Sequence, residues 1–358
     1  MSGDFVWRDA GRTVVFAAGL VARAPEVLAE HGFGSTSGRG AGEFELLSTP
    51  RALAGAPELA AAATRVHEVA PGQVPDLAAG LLRGAVEVSP AMRDEAQPRS
   101  EGVPLVALGG GRVIDVAKAL ASVTGARVAA IPTTMSGAEM TAIHRLPVGA
   151  EDEVRSMVRP ALVLADPEAM ASQAEARLRA SSMNALAHGV DCLYTPLANP
   201  VAEHAALRGA ELIAASLGQP RDERDRADLA LGSILCGYAI DSAGFGLHHV
   251  VCQTVVRTCG TPHAETNAAI LPHAAAFLAT RAPGPLARLA DALVTDPNGL
   301  APRIRTLAGN PAGLGTLAAN EGCRDEAIKA MLRRPELANV PGPSLTKSDL
   351  AGLLAAAW

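Results

Sequence analysis

The sequence predicts a two-domain protein, with an α/β domain over residues 1–160 and an all-helical domain over residues 161–358. The chain has 358 residues, which is longer than a single hydrophobic core usually spans. In its first part, apolar strand-like stretches alternate with helix-like stretches, a pattern typical of a parallel sheet covered by helices on both faces. After Asp166 and Pro167, Ala- and Leu-rich stretches punctuated by Pro and Gly indicate helices. We therefore expect the boundary between residues 150 and 170.

Four strand-like stretches of the first part each end in a turn. They cover residues 13–19, 44–50, 103–111 and 127–134. Helix-like segments lie between them, and residues 51–66 are expected to form a helix broken near Pro57. This alternation predicts a parallel sheet in which successive strands are joined by helices.

Composition excludes several classes of protein. Hydrophobic residues make up 49% of the chain and charged residues 19%, which favours a large core over disorder. The net charge is -6 and no run of Lys or Arg occurs, so a nucleic-acid partner is not expected. No stretch resembles a secretion signal or a membrane span. The five Cys are odd in number and form no CxxC pair, which favours a reduced, cytoplasmic protein.

Three consecutive glycines, Gly109 to Gly111, follow the third strand-like stretch. Glycine permits a tight turn and lets backbone N–H groups approach a ligand closely. The N-terminus of the following helix supplies N–H donors and partial positive charge, which suit a diphosphate. An ordinary glycine turn explains the triplet alone equally well, and its spacing differs from the GxGxxG fingerprint. The neighbouring residues therefore decide between the two interpretations.

Polar residues around the glycine turn favour a dinucleotide site. Asp115 and Lys118 lie three residues apart on one helix face, although such a pair is also common as a solvated surface ion pair. Hydroxyl-rich turns follow two other strands, and open parallel sheets bind ligands at the carboxyl ends of their strands. We therefore predict a dinucleotide-binding domain whose contacts are Ser48, Thr49, Pro50, Gly109, Gly110, Gly111, Asp115, Lys118, Thr133, Thr134 and Ser136.

The helical domain carries polar residues that recur at helical spacing. Asn184 and His188 are four residues apart in segment 181–191, which is expected to be a helix capped by serine. His249 and Gln253 repeat this spacing, and Pro262 suits the start of a further helix. A single His is more often structural, but the recurrence favours a polar site. Because Asn184 offers only a neutral amide oxygen, the residues argue against a tightly bound catalytic metal.

In combination, these motifs resemble the group III, iron-containing alcohol dehydrogenase superfamily, and within it the maleylacetate reductases. The resemblance covers nearly the whole chain and implies the dehydroquinate synthase-like architecture, with an α/β dinucleotide-binding domain and an all-α domain. It rests on GGG-x-x-x-D-x-A-K at 109–118, PTT-x-x-G-x-E-x-T at 132–141, N-A-L-A-H at 184–188, H-H-x-x-C at 248–252 and P-H-A-E at 262–265.

The resemblance implies an enzyme that uses NADH or NADPH to reduce a carbon–carbon double bond conjugated to a ketone. The metal positions of the superfamily match Asn184, His188, His249 and His263, and Asn in the first of them implies catalysis without a metal. Further implications are a small-molecule carboxylate substrate, a homodimer, and no membrane partner. The residues assigned to catalysis are His188, His249, His263 and Gln253, and those assigned to the substrate are Asn184, His248 and Arg257.

Two residues depart from the pattern of the maleylacetate reductases. Gln253 stands where His is usual, and Arg257 lies where a Gly-rich turn is usual. Gln cannot titrate, whereas Arg can bind a carboxylate through two parallel hydrogen bonds or can be a surface residue. Three functions therefore stay open: a metal-independent enone or keto-acid reductase, a metal-dependent alcohol dehydrogenase or relative acting on another carbonyl, and a non-catalytic homologue. The strand end at Ser48–Pro50 is neutral and selects neither NADH nor NADPH.

Overall fold

A mostly parallel seven-stranded sheet forms the centre of the N-terminal part of the chain, in a computed structural model that describes residues 5–9, 11–34, 44–88, 102–318 and 322–358. Across the sheet the strand order is β1-β2-β7-β6-β5-β3-β4, with β1 antiparallel to β2 and every other pair parallel. The strands are β1 (Phe5–Asp9), β2 (Arg12–Phe16), β3 (Glu45–Ser48), β4 (Arg65–Glu68), β5 (Leu105–Gly109), β6 (Val128–Pro132) and β7 (Leu162–Ala165).

Helices cover both faces of this sheet. One apolar cluster includes Leu46 and Ile131 of the strands, and a second includes Leu47 and Ala130, so adjacent residues of a strand point into opposite cores. This arrangement confirms the predicted sheet buried on two sides. The helices of this part are α1 (Ala24–Glu30), α2 (Pro50–Ala54), α3 (Pro57–Ala62), α4 (Val74–Val88), α5 (Gly111–Thr124) and α6 (Pro167–Met170), with 3₁₀ turns at Ala138–Met140 and Glu151–Glu153.

The remainder of the described chain is helical, which confirms the predicted fold class. Its helices are α7 (Glu175–Cys192), α8 (Pro200–Gly218), α9 (Arg226–Ala243), α10 (Leu247–Cys259), α11 (His263–Arg281), α12 (Pro283–Ala292), α13 (Leu300–Leu307), α14 (Leu314–Leu317), α15 (Cys323–Met331) and α16 (Lys347–Ala357), with 3₁₀ turns at Pro297–Gly299 and Pro335–Asn339.

The described residues form two compact units. The α/β unit runs to Thr134 and resumes over Ala138–Met170, and the helical unit comprises Met135–Gly137 and Ala171–Trp358. Strand β7 follows residue 160 in the chain yet pairs with β2 and β6 in the sheet. The α/β unit therefore extends past residue 160 and ends at Met170, within the range of 150 to 170 expected for the boundary.

Of two local expectations for residues 51–66, one agrees with the structure and one differs from it. The expected break near Pro57 is present, because α2 ends at Ala54 and α3 begins at Pro57. The end of the expected helix is wrong, since Arg65 and Val66 belong to strand β4. The side chains of this edge strand are largely exposed, so it lacks the apolar run that marks the inner strands.

A disulfide joins the end of α10 to the start of α15. Cys259 and Cys323 are buried and separated by 64 residues in sequence, and their Cα atoms lie 5.3 Å apart. The expectation that the cysteines are all reduced is therefore wrong for this pair, since spacing in sequence does not reveal a contact between distant helices. The other cysteines, Cys192, Cys236 and Cys252, are buried and unpaired.

Taken singly, none of the described helices is long and apolar enough to cross a bilayer. Among the described helices, only α9 and α10, counted as one segment with a bend of 98°, reach the length and apolar composition of a membrane span.

Candidate active site

The glycine turn joins strand β5 to helix α5 at the carboxyl edge of the sheet. Gly110 is the N-cap of α5, and because it has no side chain, no side-chain hydrogen bond caps the first helical turn. A Cβ atom on Gly110 would lie 2.9 Å from Thr134 Cγ2, so only glycine fits without displacing the adjacent turn. A fourteen-residue helix with an uncapped N-terminus behind a glycine turn fits the phosphates of a dinucleotide.

Lys118 has a different place from the one expected. Its side chain is wholly buried, and its Nζ lies 2.8 Å from Asp115 Oδ1. The ammonium donates its hydrogen bonds to the carbonyl oxygens of Ala138 and Ile143, at 3.0 and 2.9 Å, and to Thr141 Oγ1. These acceptors use all of its donors, so Lys118 orders residues 138–143 and presents no N–H group to a cofactor. Asp115 is half-buried beside it.

The Ser-Thr-Pro turn after β3 is largely engaged within the protein. The Ser48 hydroxyl is buried and donates to Leu108 O at 2.8 Å, which links β3 to β5. Thr49 caps α2, since its Oγ1 accepts from Ala52 N, and Pro50 is the first residue of that helix. The backbone of this turn, more than its side chains, is therefore what a ligand could contact.

The turn after β6 provides half-buried hydroxyl groups. Thr133 N donates to Gly109 O at 2.9 Å, which fixes this turn against the glycine turn. Thr134 Oγ1 is buried and has no hydrogen-bond partner among the described residues. An unsatisfied buried hydroxyl suits a position that a bound ligand completes.

Helix α7 brings Asn184 and His188 to one buried face. The helix begins at Glu175, six residues before Ser181, so the predicted serine cap is wrong. Asn184 Nδ2 donates to Ser136 O at 2.7 Å, and the Oδ1 atom of the same amide has no hydrogen-bond partner in the described part of the chain. Gly137, at φ +71°, packs so closely that a Cβ there would lie 2.9 Å from His188 Nδ1. Segment 135–137 thus forms one wall beside these two side chains.

Asp191, one turn after His188 on α7, organises the start of α10. Its carboxylate is fully buried and accepts from the backbone N–H groups of Gly246, His248 and His249 at 3.1 to 3.3 Å. It also accepts from Tyr194 Oη and, at 2.7 Å, from His249 Nδ1. Burial would raise the pKa of Asp191, but the hydrogen bond and charge of His249 lower it to about 2. Asp191 is therefore a carboxylate at neutral pH and holds a proton on His249 Nδ1.

The ring of His249 lies between two other rings. It stacks on His188 with centroids 4.7 Å apart and planes 9° from parallel, and on Phe245 at 4.5 Å and 6°. With Nδ1 bound to Asp191, the Nε2 atom of His249 is buried and has no partner among the described residues. Burial, and then the charge of His249, lower the pKa of His188 well below its ordinary value. A neutral imidazole thus stacks against the imidazole that carries a carboxylate partner.

His248 and His263 occupy contrasting positions. His248 is fully buried, its Nε2 pairs with Asn267 Oδ1 at 2.7 Å, and burial lowers its pKa to about 4. It therefore supports the ring of His249 edge-on at 5.3 Å, and the assignment of His248 to the substrate lacks support in its surroundings. His263 is the exposed first residue of α11, and Pro262 is its N-cap as expected.

Two site residues were missed by the sequence pattern. Asp191 stands at i+3 from His188 in the N-A-L-A-H-G-V-D segment, a spacing that places the two on one helix face. Arg334 lies 81 residues beyond Gln253, and its Nη2 donates to Gln253 Oε1 at 3.3 Å. The spacing carried a signal for Asp191, whereas Arg334 lies in a segment without any motif.

Comparison with known proteins decides the family. Residues 179–311 match the "Fe-containing alcohol dehydrogenase family, C-terminal", and residues 52–173 match "Iron-containing alcohol dehydrogenase". The chain belongs to the iron-containing alcohol dehydrogenase family. It is 33% identical to a maleylacetate reductase of Pseudomonas sp. (strain P51), over 88% of this chain and 91% of the relative. It is 36% identical to maleylacetate reductase 1 of Rhodococcus opacus, over 72% and 74%.

A solved structure supports the same assignment. The crystal structure of a maleylacetate reductase from Agrobacterium tumefaciens matches with a TM-score of 0.78 and 27% identity, covering 100% of this chain and 99% of that one. The fold expected from the resemblance is confirmed, and the chain is an oxidoreductase of the iron-containing alcohol dehydrogenase family.

The iron of this family does not fit the residues present here. The positions that the sequence resemblance matches to metal ligands hold Asn184, His188, His249 and His263, and the first of these supplies a neutral amide. The rings of His188 and His249 are nearly parallel, so their in-plane lone pairs do not converge on one ion. Within the described ranges, no group of three or more His, Cys, Asp or Glu side chains has an arrangement that could hold a metal.

Proposed function

We propose that this protein is an NAD(P)H-dependent reductase that transfers hydride to a keto acid with a conjugated double bond, of the kind that maleylacetate represents. The observation that carries the proposal is the imidazole of His249, which Asp191 holds at 2.7 Å and whose buried Nε2 has no partner among the residues that the structure describes. The similarity to maleylacetate reductases supports the substrate class.

The α/β unit supplies the cofactor site in this proposal. The first-turn amides of α5 would bind the phosphates, and the Thr133–Thr134 turn would contact the ribose or the nicotinamide. Reduced nicotinamide, when bound, supplies the hydride. The chain's own contribution is to hold the nicotinamide cofactor. It does so through the backbone N–H groups at the start of α5, which no side chain caps, and through the Thr134 hydroxyl, which has no partner among the described residues.

The helical unit polarises the acceptor and handles the proton. The hydride forms a C–H bond at the carbon of the double bond that is farther from the ketone. The π electron pair of the double bond then moves toward the ketone oxygen, which gives an enolate. A proton on His249 Nε2 would stabilise this oxygen, since the Asp191 carboxylate balances the resulting imidazolium. The adjacent carbon then takes one proton, so each turnover consumes one reduced nicotinamide and one proton. Asn184 and His188 would orient the acceptor.

We further propose that this chemistry needs no resident metal. The neutral amide at Asn184 and the parallel rings of His188 and His249 support this, since neither suits an iron site. Metal analysis of protein purified without chelator, followed by a chelator challenge, tests it. Activity that a chelator abolishes and Fe²⁺ or Zn²⁺ restores would overturn it.

Oxidation of NADH and of NADPH in the presence of maleylacetate tests the reaction, with simple aldehydes and ketones compared at the same concentration. We expect maleylacetate to be preferred. His249→Ala should lower kcat by about 100-fold or more, the usual contribution of a general acid. His204→Ala, on the exposed side of α8, is the matched control and should leave kcat unchanged. No turnover of maleylacetate by the wild type, or full activity of His249→Ala, would reject the proposal.

A further inference from the structure

A polar cluster lies one helical turn beyond His249 on α10. It consists of Gln253, Arg257, Arg334 and Glu336, and all four belong to the helical unit. Arg334 Nη2 donates to Gln253 Oε1 at 3.3 Å, and Arg257 Nε donates to the backbone oxygen of Gln253 at 3.2 Å. Gln253 thus lies between two guanidinium groups, one from Arg257 on the same helix and one from Arg334, which is 81 residues further along the chain.

The cluster has more hydrogen-bond donors than acceptors. Arg334 pairs with Glu336 through Nε and Nη2, at 3.0 and 2.5 Å, and its Nη1 group has no hydrogen-bond partner among the described residues. Both Nη groups of Arg257 are also without a hydrogen-bond partner in the described part of the chain. Guanidinium N–H groups match the two oxygens of a carboxylate in geometry and charge.

The charges of the cluster are unbalanced as well. Two guanidinium groups face one carboxylate, Glu336, whose pKa is lowered first by its hydrogen bonds from Arg334. Partial burial, and then the charge of Arg334, lower the pKa of Arg257. A second anion would relieve this repulsion. Arg257 is exposed and Arg334 half-buried, so an anion from solution can reach them.

The cluster lies within reach of an acceptor at His249. Gln253 follows His249 by four residues, which is about 6 Å along a helix. The 3₁₀ helix Pro335–Asn339 runs beside the same face, since Asn339 Nδ2 donates at 2.8 Å to the backbone oxygen of Phe245, whose ring stacks on His249. A molecule of about six carbons could contact His249 Nε2 with its ketone and the guanidinium groups with its terminal carboxylate.

We propose that Arg334 and Arg257, spaced by Gln253, bind a carboxylate of the acceptor and so determine which keto acids the enzyme accepts. The inference rests on the proposed reductase function and adds the residues that select its substrate. Gln253 acts here as a neutral spacer: its amide oxygen holds Arg334 without neutralising it. A carboxylate at this position would cancel the charge that the substrate needs.

Two measurements on the full-length protein test the anchor. Isothermal titration calorimetry with succinate, beside its uncharged dimethyl ester, reports on binding without turnover. Steady-state kinetics with maleylacetate then separates KM from kcat. Arg334→Ala should weaken succinate binding and raise KM about 10- to 100-fold, the value of a charge-assisted pair, while kcat changes little. Arg334→Lys keeps the charge but not the fork, and should recover only part of the affinity.

Arg333→Ala is the matched control. Arg333 is exposed, and this substitution removes the same charge one residue away from Arg334. It should behave as the wild type in both measurements. Glu336→Gln should tighten succinate binding, because it removes the carboxylate that competes for Arg334. If the Arg334–Glu336 pair were purely structural, Arg334→Ala and Glu336→Gln would lower stability equally and would not change the affinity for succinate. No succinate binding by the wild type, or equal affinities of Arg334→Ala and Arg333→Ala, overturns the anchor. Failure to reduce maleylacetate by a protein that binds succinate through Arg334 overturns the reductase function and leaves the anchor standing.

Discussion

At the scale of single residues, Asp191 links the local structure of a helix to the chemistry of the site. Its carboxylate accepts three backbone N–H groups at the start of α10, where orphan donors and the helix dipole both favour an anion. The same group accepts from His249 Nδ1 and so decides which ring nitrogen carries a proton. One buried charge therefore places the histidine and sets its tautomer.

Asp191→Asn tests the contact with His249. The amide oxygen of Asn can still accept from His248 N–H, but an NH₂ group in place of Oδ2 cannot accept from His249 Nδ1 or from the N–H groups of Gly246 and His249. The imidazole then favours a proton on Nε2 and loses the counter-charge of its imidazolium, so kcat should fall by about 100-fold or more. The KM for the nicotinamide cofactor should stay near the wild-type value. Asp225→Asn, a cap of α9 with no histidine partner, is the control for stopped-flow and steady-state assays. Equal activity of the two variants would refute a tautomer role.

Glu139 gives the α/β unit a pH-dependent stability. Burial raises its pKa to about 7, although the charge of Lys118 acts in the opposite direction. The folded state therefore keeps a proton that the unfolded chain loses above about pH 4.5. The free energy of unfolding should fall as pH rises from about 4.5 to 7, by roughly 3 kcal/mol in all, and the contribution should be level above that range.

Glu139→Gln mimics the protonated side chain and should remove this decline. Urea unfolding across the pH series, followed by circular dichroism, measures the difference. The wild type and the variant should agree near pH 4.5 and diverge toward pH 7, with the variant more stable. Parallel pH curves for the two proteins would show that Glu139 ionises at its ordinary pKa.

At the scale of elements, the turns were predictable where each residue of a motif has its own physical reason. The glycine turn and the start of α11 at Pro262 are where the sequence indicates them, because tight turns and helix starts are decided locally. The start of α7 was not predictable. Ser181 resembles a cap, yet it lies inside the helix and accepts from Met135 N, a contact made by a distant segment. At Ser181, the tertiary contact with Met135 therefore outweighs the local preference of serine for a helix N-cap.

The sequence indicates which residues belong to the histidine site, but it does not indicate the contacts that these residues make with one another. The spacing of Asn184 and His188 places them on one face, as found on α7. Which histidine has a carboxylate partner depends on the meeting of α7 and α10, which no spacing expresses. Lys118 shows the same limit, because its burial against residues 138–143 follows from the path of a later turn. Asp191 and Arg334 belong to contacts of this kind.

The glycine turn yields a prediction at this scale. Gly110→Ala would place a methyl group 2.9 Å from Thr134 Cγ2, at the N-cap of α5. We expect the KM for reduced nicotinamide to rise at least about 10-fold, since a phosphate can no longer approach the backbone closely. Gly80→Ala, in open space on α4, should leave KM unchanged and add about 0.5 kcal/mol of stability. Similar nucleotide affinities for both variants, measured by fluorescence titration of NADH, would place the phosphates elsewhere.

At the scale of the whole molecule, the cysteines divide by contact and not by motif. Cys259 and Cys323 join α10 to α15, and the segment that follows α15 carries Arg334 to the face of α10. Burial raises the pKa of the free thiols, to about 12 for Cys192 and further for Cys236, so these groups resist oxidation and exchange. The chain therefore contains one covalent link across the helical unit and, among its described cysteines, three inert thiols.

That link should stabilise the fold more than it affects the chemistry. Closing a loop of 64 residues restricts the unfolded chain and contributes about 4 kcal/mol. Cys259→Ser with Cys323→Ser should lower the free energy of unfolding by that order, and dithiothreitol should reproduce the loss in the wild type but not in the double variant. Asp191 holds the opposite end of α10, so kcat should stay near the wild-type value while the protein remains folded. Guanidinium unfolding with and without reductant gives the energy, and a thiol titration of unfolded protein gives the number of free cysteines. A wild type whose five thiols all react without reductant, or a double variant as stable as the wild type, would show that the two helices are held by packing alone.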